Sequence, residues 1–418
     1  MSTLVIEGGQ ALKGEVLISG MKNAATPLIA AALLTSQDCI LNNVPRISDV
    51  ESMLDILKSL KVKVEWTADR QLTINAAHAD LKNINQTAVK KMRSSILLVG
   101  PLLSRFKELK ILEPGGCIIG KRPIDTHLQA LSQLGIQANQ TNDSIELNAK
   151  KMKSGLVVLS EFSVTATENI IMAAVLAEGK TVVKLAAHEP HVQKLIECLQ
   201  QMGADIKTLD SSTVIIEGID SLQGYNFDVI SDQIEIGTFL ALAAATKSEL
   251  SLTPVQPEYL DSILSKASEV GVNWELKNDS LKIKQSKNLR AFKLQTMPYP
   301  GFPTDLQAPF GVLATQCQGM SLIHDPLYEG RLGYVNELVK MGANATICDP
   351  HRVIVAGPSK LRGTNIKTLD LRAGATMVIA GLVAEGKTTI ADVEIIDRGY
   401  ENLDQRLASV GAKIKRID

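Results

Sequence analysis

The residues of this 418-residue chain that could do chemistry gather where apolar helices begin. Ser19-Gly20-Met21-Lys22-Asn23, Met92-Arg93-Ser94-Ser95 and Ser163-Val164-Thr165-Ala166-Thr167 are three such places. Gly301-Phe302-Pro303-Thr304-Asp305, Glu329-Gly330-Arg331, Asp370-Leu371-Arg372 and Asp397-Arg398 are others. A longer run is Pro114-Gly115-Gly116-Cys117-Ile118-Ile119-Gly120-Lys121-Arg122-Pro123. A helix N-terminus favours anions, because its first N–H groups lack intrahelical acceptors and its dipole is positive there. Arginine and lysine add charge-assisted donors. One such place means little. Several, from different parts of the chain, suggest a cleft for a strongly anionic ligand; the alternative is that these are solvated loop charges.

Cys117 stands apart from the other thiols. The glycines around it predict an exposed loop, and Lys121 and Arg122 favour the thiolate, which is the setting of a reactive cysteine. Cys39, Cys198, Cys317 and Cys348 read as buried fillers, the commoner fate of a free thiol. The pair His188-x-x-His191 lacks an evident third ligand, and Pro190 lies between them, so surface histidines are expected rather than a metal site. No G-x-G-x-x-G or Walker loop occurs, so nicotinamide and P-loop chemistry are unsupported.

Composition narrows the class further. Lys plus Arg is 44 and Asp plus Glu 45, a net charge of −1, which offers no general attraction for a phosphate backbone. Only 7 Phe, 6 Tyr and 2 Trp are present, too few to favour a base-stacking platform. Nucleic acid is therefore not an expected partner. Five cysteines without a C-x-x-C pair fit a reducing cytoplasm better than a disulfide framework. The start MSTLVIEGG does not read as a signal peptide, and no apolar run reaches the ~18 residues of a membrane span.

The elements that must position these residues come as a repeat. Leu60-Lys61-Val62, Leu134-Gly135-Ile136, Met202-Gly203-Ala204, Val270-Gly271-Val272, Met341-Gly342-Ala343 and Val410-Gly411-Ala412 are one phrase, at spacings of 74, 68, 68, 71 and 69. Six units of about 70 residues account for the chain. Each reads as β-α-β-α-β-β. Its first helix is apolar nearly all round (Thr26 to Leu34, Ser95 to Leu103, Thr167 to Ala177, Ile234 to Ala245, Leu306 to Thr315, Ala375 to Ala384) and should be buried on every side. Its second is amphipathic and stops at the glycine, as in His191 to Met202 and Tyr400 to Val410. Three buried helices can share one centre with sheets outside, which gives two domains of three units. The opening Thr3-Leu4-Val5-Ile6-Glu7-Gly8 resembles the hairpin strand Thr213-Val214-Ile215-Ile216-Glu217-Gly218 and should complete the last unit. The domains would be 1–21 with 231–418, closed by the N-terminal strands, and 22–230, carrying Cys117.

The segments Ser19-Gly20-x-Lys22-Asn23-Ala24-Ala25, Pro114-Gly115-Gly116-Cys117-x-Ile119-Gly120-x-Arg122-Pro123-x-Asp125, Phe302-Pro303-Thr304-Asp305-x-Gln307-Ala308 and Asp397-Arg398-Gly399-Tyr400-Glu401 resemble the UDP-N-acetylglucosamine 1-carboxyvinyltransferase family, over the full length. The resemblance implies an α/β fold, the two-domain inside-out α/β barrel. It implies transfer of the enolpyruvyl group of phosphoenolpyruvate to the 3′-hydroxyl of UDP-N-acetylglucosamine, the first committed step of peptidoglycan synthesis, with no cofactor. Lys22, Asn23, Arg122, Arg331 and Arg398 would hold phosphoenolpyruvate, with Arg372 near them. Arg93, the run Arg122-Pro123-Ile124-Asp125-Thr126, Ser163, Val164, Asp305 and Leu327 would bind the sugar nucleotide. Asp305 would be the base on the 3′-hydroxyl and Cys117 the acid toward the methylene carbon; Lys22 belongs with this catalytic set. The chemistry needs both, since a proton must enter at carbon and leave at oxygen. The chain has Met21, Thr165 and Gln233 where members usually carry Ala, Gly and Arg, and Glu161 at a position that varies.

Three other readings compete. The sister enzymes acting on shikimate 3-phosphate share the fold but lack the cysteine loop. A ring-shaped DNA clamp needs helices around a wet basic hole, not apolar ones. An inactive paralogue is disfavoured by the presence of Lys22, Cys117, Asp305 and Arg398.

Fosfomycin carries an anion like that of phosphoenolpyruvate and an electrophilic carbon, so it should alkylate Cys117 alone and faster with UDP-N-acetylglucosamine present. Cys117→Asp should keep some turnover and resist the drug, and Cys117→Ala should lose nearly all turnover. Intact and peptide mass spectrometry decides: adducts on Cys39, Cys198, Cys317 or Cys348 instead, or full activity in Cys117→Ala, would overturn the assignment.

Overall fold

The computed structural model describes residues 2–115, 124–141 and 143–417. They fall into two compact units, one of residues 2–19 and 231–417, the other of residues 20–115, 124–141 and 143–230. Each has three sheets, and no sheet closes on itself. In the first unit the centre holds the helices Gln233–Ala245, Gln307–Ala314 and Leu371–Val383. In the second it holds Lys22–Ala31, Val99–Phe106 and Val164–Ala174. Every residue of Gln233–Ala245 and of Gln307–Ala314 is buried, as an all-round apolar sequence requires. The outer helices bury one face only: Pro190–Gln201 turns Val192, Leu195, Ile196, Cys198 and Leu199 inward.

The recurring glycine has a backbone cause. Gly135, Gly203, Gly271, Gly342 and Gly411 have φ of 75°, 103°, 90°, 99° and 99°, the left-handed conformation that ends a helix. In the first unit of the repeat Lys61 takes that place with φ of 60°, which is why the phrase survives there without glycine. The strand Thr3–Glu7 lies between Lys387–Ala391 and Lys413–Ile417, antiparallel to both, so the two ends of the chain share one sheet. The repeat is also cut and rejoined. Lys13–Leu17 pairs in parallel with Glu249–Thr253, and Asn226–Asp228 with Asp38–Asn42, so the first and fourth repeats have exchanged their opening strands. The chain changes unit after Ser19 and again after Ile230. In one unit Asp232 N–H donates to Ser19 C=O at 2.9 Å, and in the other Met21 N–H donates to Ile230 C=O at 2.7 Å. Gly20 admits no side chain, because a Cβ there would lie 1.8 Å from Asn43 O.

Several expectations need correction. The helix expected at Ser95 is a 3₁₀ turn, Arg93–Leu98, before the α-helix begins at Val99. The helix expected at Tyr400 begins only at Leu403, after Asn402 in the left-handed conformation. Cys39, Cys198 and Cys317 are buried, but Cys348 is exposed, because its strand Asn344–Asp349 is the outermost of its sheet. His191 is not a surface residue: Pro190 starts the helix rather than breaking it, and His191 is buried in its first turn. Among the described residues no group of His, Cys, Asp or Glu could hold a metal, and no helix is long and apolar enough to cross a membrane.

The helix Val164–Ala174 buries Thr167, Glu168 and Asn169 in a run that its sequence flanks with apolar residues. Asn169 is satisfied: it donates to Ile96 O and Thr165 O, both at 3.0 Å, and accepts from Gly100 N–H at 2.7 Å. Glu168 is not, since its Oε1 has no partner among the described residues. Burial, and then Glu189, push its carboxyl well above the usual range. A raised acid stabilises the fold below its unfolded value and loses that contribution as pH rises toward the folded one. Glu168→Gln should therefore raise Tm by a few degrees at pH 8, where about 1 kcal/mol corresponds to about 2–4 °C, with a smaller gain at pH 5. Thermal unfolding at the two pH values checks this; an equal change at both would exclude a titration origin.

Candidate active site

In the first unit, the 3₁₀ turn Thr304–Leu306 places Asp305 just ahead of the buried helix Gln307–Ala314. Asp305 accepts from Arg331 Nη1 at 2.7 Å through one oxygen and from Arg372 Nε at 3.0 Å through the other. The side chains are 21%, 11% and 6% exposed, so the two charges face the carboxylate with little water between. Burial works against the charge on each guanidinium. Asp305, Tyr328 and Asp370 outweigh it at Arg331; Tyr400, Asp305 and Asp232 outweigh it at Arg372, so both are held above their ordinary value. Arg331 Nε and Arg372 Nη1 remain buried donors with no acceptor among the described residues. Two guanidinium groups with N–H donors to spare can take an anion.

Local structure fixes each member. Asp370 caps the helix Leu371–Val383 from extended backbone, accepting from Arg372 N–H at 2.8 Å and Ala373 N–H at 3.0 Å. Arg331 is held by its main chain: Gln307 Nε2 donates to its carbonyl at 3.1 Å, and Tyr334 Oη donates to Gln307 Oε1 at 3.2 Å. Arg372 lies over the Tyr400 ring at 5.3 Å, and the Tyr400 and Thr238 hydroxyls share a hydrogen bond of 2.9 Å. Asp232 caps Gln233–Ala245, and burial raises its carboxyl above the usual range. Arg398 ends the 3₁₀ turn Val393–Arg398 two residues before Tyr400. Leu327 is exposed, and its N–H donates to Asp325 Oδ1 at 3.1 Å.

In the second unit, Lys22 and Asn23 open the helix Lys22–Ala31, and Lys22 Nζ donates to the buried Asp49 Oδ2 at 3.1 Å. Arg93 Nη1 donates to Pro114 O at 3.3 Å. Ile124 precedes the helix Asp125–Gln133. Thr126 Oγ1 donates to Glu161 Oε1 at 2.9 Å. Ser163 caps Val164–Ala174 through Ala166 N–H at 3.4 Å. Cys117, Arg122 and Pro123 lie outside the described residues. The structure thus brings Asp305, Arg331 and Arg372 into direct contact. Asp49 and Asp325 were missed. Nothing in the spacing pairs Asp49 with Lys22, whereas Asp325 follows the strand Gly319–His324 directly, a position that often carries function in α/β folds.

The chain is similar over nearly its whole length to known proteins. A family model described as EPSP synthase (3-phosphoshikimate 1-carboxyvinyltransferase) matches residues 6–407. The chain is 41% identical to a Bradyrhizobium diazoefficiens protein named UDP-N-acetylglucosamine 1-carboxyvinyltransferase, over 99% of this chain and 97% of that one. It is 40% identical to UDP-N-acetylglucosamine 1-carboxyvinyltransferase 1 of Clostridium acetobutylicum, over 100% of both. The fold matches the enolpyruvyl transferase NikO of Streptomyces tendae with a TM-score of 0.91 at 23% identity, covering 100% of this chain and 99% of that one. EPSP synthase of Acinetobacter baumannii follows at 0.77 and 20%, covering 100% of both. The chain belongs to the EPSP synthase family, on its UDP-N-acetylglucosamine 1-carboxyvinyltransferase branch.

The positions that depart from usual family residues differ in how they are satisfied, and the buried Oε1 of Gln233 has no hydrogen-bond partner among the described residues. Thr165 shares a 2.9 Å hydrogen bond with the buried His127. Met21 is buried before the helix Lys22–Ala31, and Gln233 opens Gln233–Ala245. Because Asp370 sets the first turn that carries Arg372, Asp370→Ala should cost about 1 kcal/mol, and Asp370→Asn, also a good cap, should recover most of it. Thermal unfolding distinguishes the two. Equal losses would mean that the charge beside Arg331, not the cap, is what matters.

Proposed function

We propose that the chain transfers the enolpyruvyl group of phosphoenolpyruvate to the 3′-hydroxyl of UDP-N-acetylglucosamine, releasing phosphate. This is the committed entry to peptidoglycan synthesis, in the cytoplasm, on which cell-wall growth, shape and division depend. The observation that carries the reading is Asp305 held between Arg331 and Arg372, in a chain whose full-length relatives bear that name.

In the addition step, the 3′-oxygen bonds to C2 of phosphoenolpyruvate and its proton leaves to Asp305. Cys117 supplies a proton to the methylene carbon, giving a tetrahedral ketal with a new methyl group. In the elimination step a proton leaves that methyl and phosphate departs with the C–O bonding pair, restoring the double bond. Both steps pass through oxocarbenium character at C2, so an acid and a base must be in place together. Arg331, Arg372 and Arg398 supply fixed positive charge against the phosphate and carboxylate; they move no protons. Lys22, Asn23 and Arg122 join them on the phosphoenolpyruvate. Arg93, Arg122 to Thr126, Ser163, Val164 and Leu327 hold the sugar nucleotide. Lys22, with Asp49 at 3.1 Å, can exchange one carboxylate for the substrate's anion.

Phosphate release with phosphoenolpyruvate and UDP-N-acetylglucosamine, against the same assay with shikimate 3-phosphate, tests the reading; turnover of the latter alone would overturn it. Asp305→Asn keeps an acceptor oxygen toward the guanidinium groups but cannot take the proton. It should lower kcat by about 10²–10⁴. Sugar-nucleotide affinity by calorimetry should move less than about threefold, because a base acts mainly in the transition state. Arg398→Ala should instead weaken phosphoenolpyruvate binding as well as slow turnover. The same pattern in both variants would refute the two roles.

A further inference from the structure

The buried carboxylate of Asp325 joins the two segments that carry Asp305 and Arg331. Asp325 is wholly buried, at the end of the strand Gly319–His324. Its Oδ2 accepts from Thr304 Oγ1 at 2.5 Å, the residue immediately before Asp305. Its Oδ1 accepts from Leu327 N–H at 3.1 Å, four residues before Arg331, and from Thr296 Oγ1 at 2.8 Å. Its main chain is locked as well: Asp325 N–H donates to His351 O, and Asp325 O pairs with His351 Nδ1, both at 2.8 Å. The neighbouring parallel strand Lys293–Gln295 ends beside it, with Gln295 opposite His324, so Thr296 and Asp325 face each other across adjacent strand ends.

The fold does not demand a carboxylate here. In the last repeat the matching strand ends are Thr368, after Asn365–Lys367, and Asp392, after Lys387–Ala391. There Thr368 Oγ1 donates to the carbonyl of Asp392 at 2.6 Å, and Asp392 is exposed. The same junction is therefore made by main chain in one repeat and by a buried carboxylate in the repeat that carries Asp305. Burying a carboxylate is costly unless several donors satisfy it. The three donors on the Asp325 carboxylate and its two main-chain ties to His351 are explained if the position of Asp305 relative to Arg331 has to be fixed.

We infer that Asp325 is a positioning residue for the transfer reaction: through Thr304 and Leu327 it sets the place of the Asp305 carboxylate against Arg331. The inference rests on Asp305 being the base. Thr304→Val cuts the tie to the Asp305 segment, and Thr296→Val cuts the tie on the far side of the same carboxylate. Thr304→Val should lower kcat about tenfold or more, with the KM for the sugar nucleotide within about threefold, since misplacement near 1 Å is costly in rate. Thr304→Ser, which restores the hydroxyl, should recover most of kcat. Thr296→Val should lower Tm comparably but kcat by less than about threefold. Asp325→Asn should follow Thr304→Val. Equal kcat losses in the two valine variants that track Tm, or no recovery in Thr304→Ser, would reduce Asp325 to a structural residue. An unaffected kcat in Asp305→Asn is a different failure: it removes the base itself, and this inference with it.

Discussion

The arrangement of the first unit turns on one carboxylate shared by two buried guanidinium groups. Arg331 and Arg372 come from segments forty-one residues apart, and neither could be buried alone. Asp305 makes them compatible, and the cost of removing one partner from such a cluster, about 3–5 kcal/mol, is comparable to a large part of a domain's net stability. The rest of the site is built to keep that geometry: a helix cap at Asp370, a main-chain tie at Arg331, an aromatic face under Arg372.

The repeat explains why the polar residues are where they are. A helix buried along its whole length, such as Gln307–Ala314, can offer chemistry only at its ends. The residues just before such helices are therefore the places where charge can meet a ligand while the helix body supplies rigidity. Asp305 and Asp370 stand at two equivalent starts, with Asp232 at the third. Their environments separate their roles. Asp232 and Asp370 each accept helix N–H groups through Oδ1, while Asp305 accepts from Arg331 and Arg372 through its two oxygens.

That logic was largely legible in the sequence. The period fixed by Gly135, Gly203, Gly271, Gly342 and Gly411 gave the six units because a left-handed helix stop is a local requirement. Asp305, Arg331 and Arg372 were legible as candidates for the same reason: charged residues beside apolar runs stand out. Partners were not. The hydrogen bonds of Asp325 to Thr296 and Thr304, like the ion pair of Lys22 with Asp49, depend on which strand ends and helices meet, and nothing local records that. The exchanged opening strands at Lys13–Leu17 and Asn226–Asp228 were hidden likewise, since both partners have the same pattern. Cys348 and His191 went wrong for one reason: composition near a residue does not say whether its strand is an edge or its helix face is inward.

Charge balance carries the argument one step further. Arg331 and Arg372 are faced by Asp305, and Arg331 also by Asp370, so the cluster is close to neutral as it stands. Its unmet Arg331 Nε and Arg372 Nη1 donors give direction to an incoming anion but little net attraction. Phosphoenolpyruvate carries both a phosphate and a carboxylate, more negative charge than this cluster can neutralise without displacing its own acids. Attraction for such an anion is therefore not what this cluster chiefly contributes. In this unit the buried, nearly neutral cluster fixes the direction of its donors, a task separate from the attraction that unneutralised positive charge supplies.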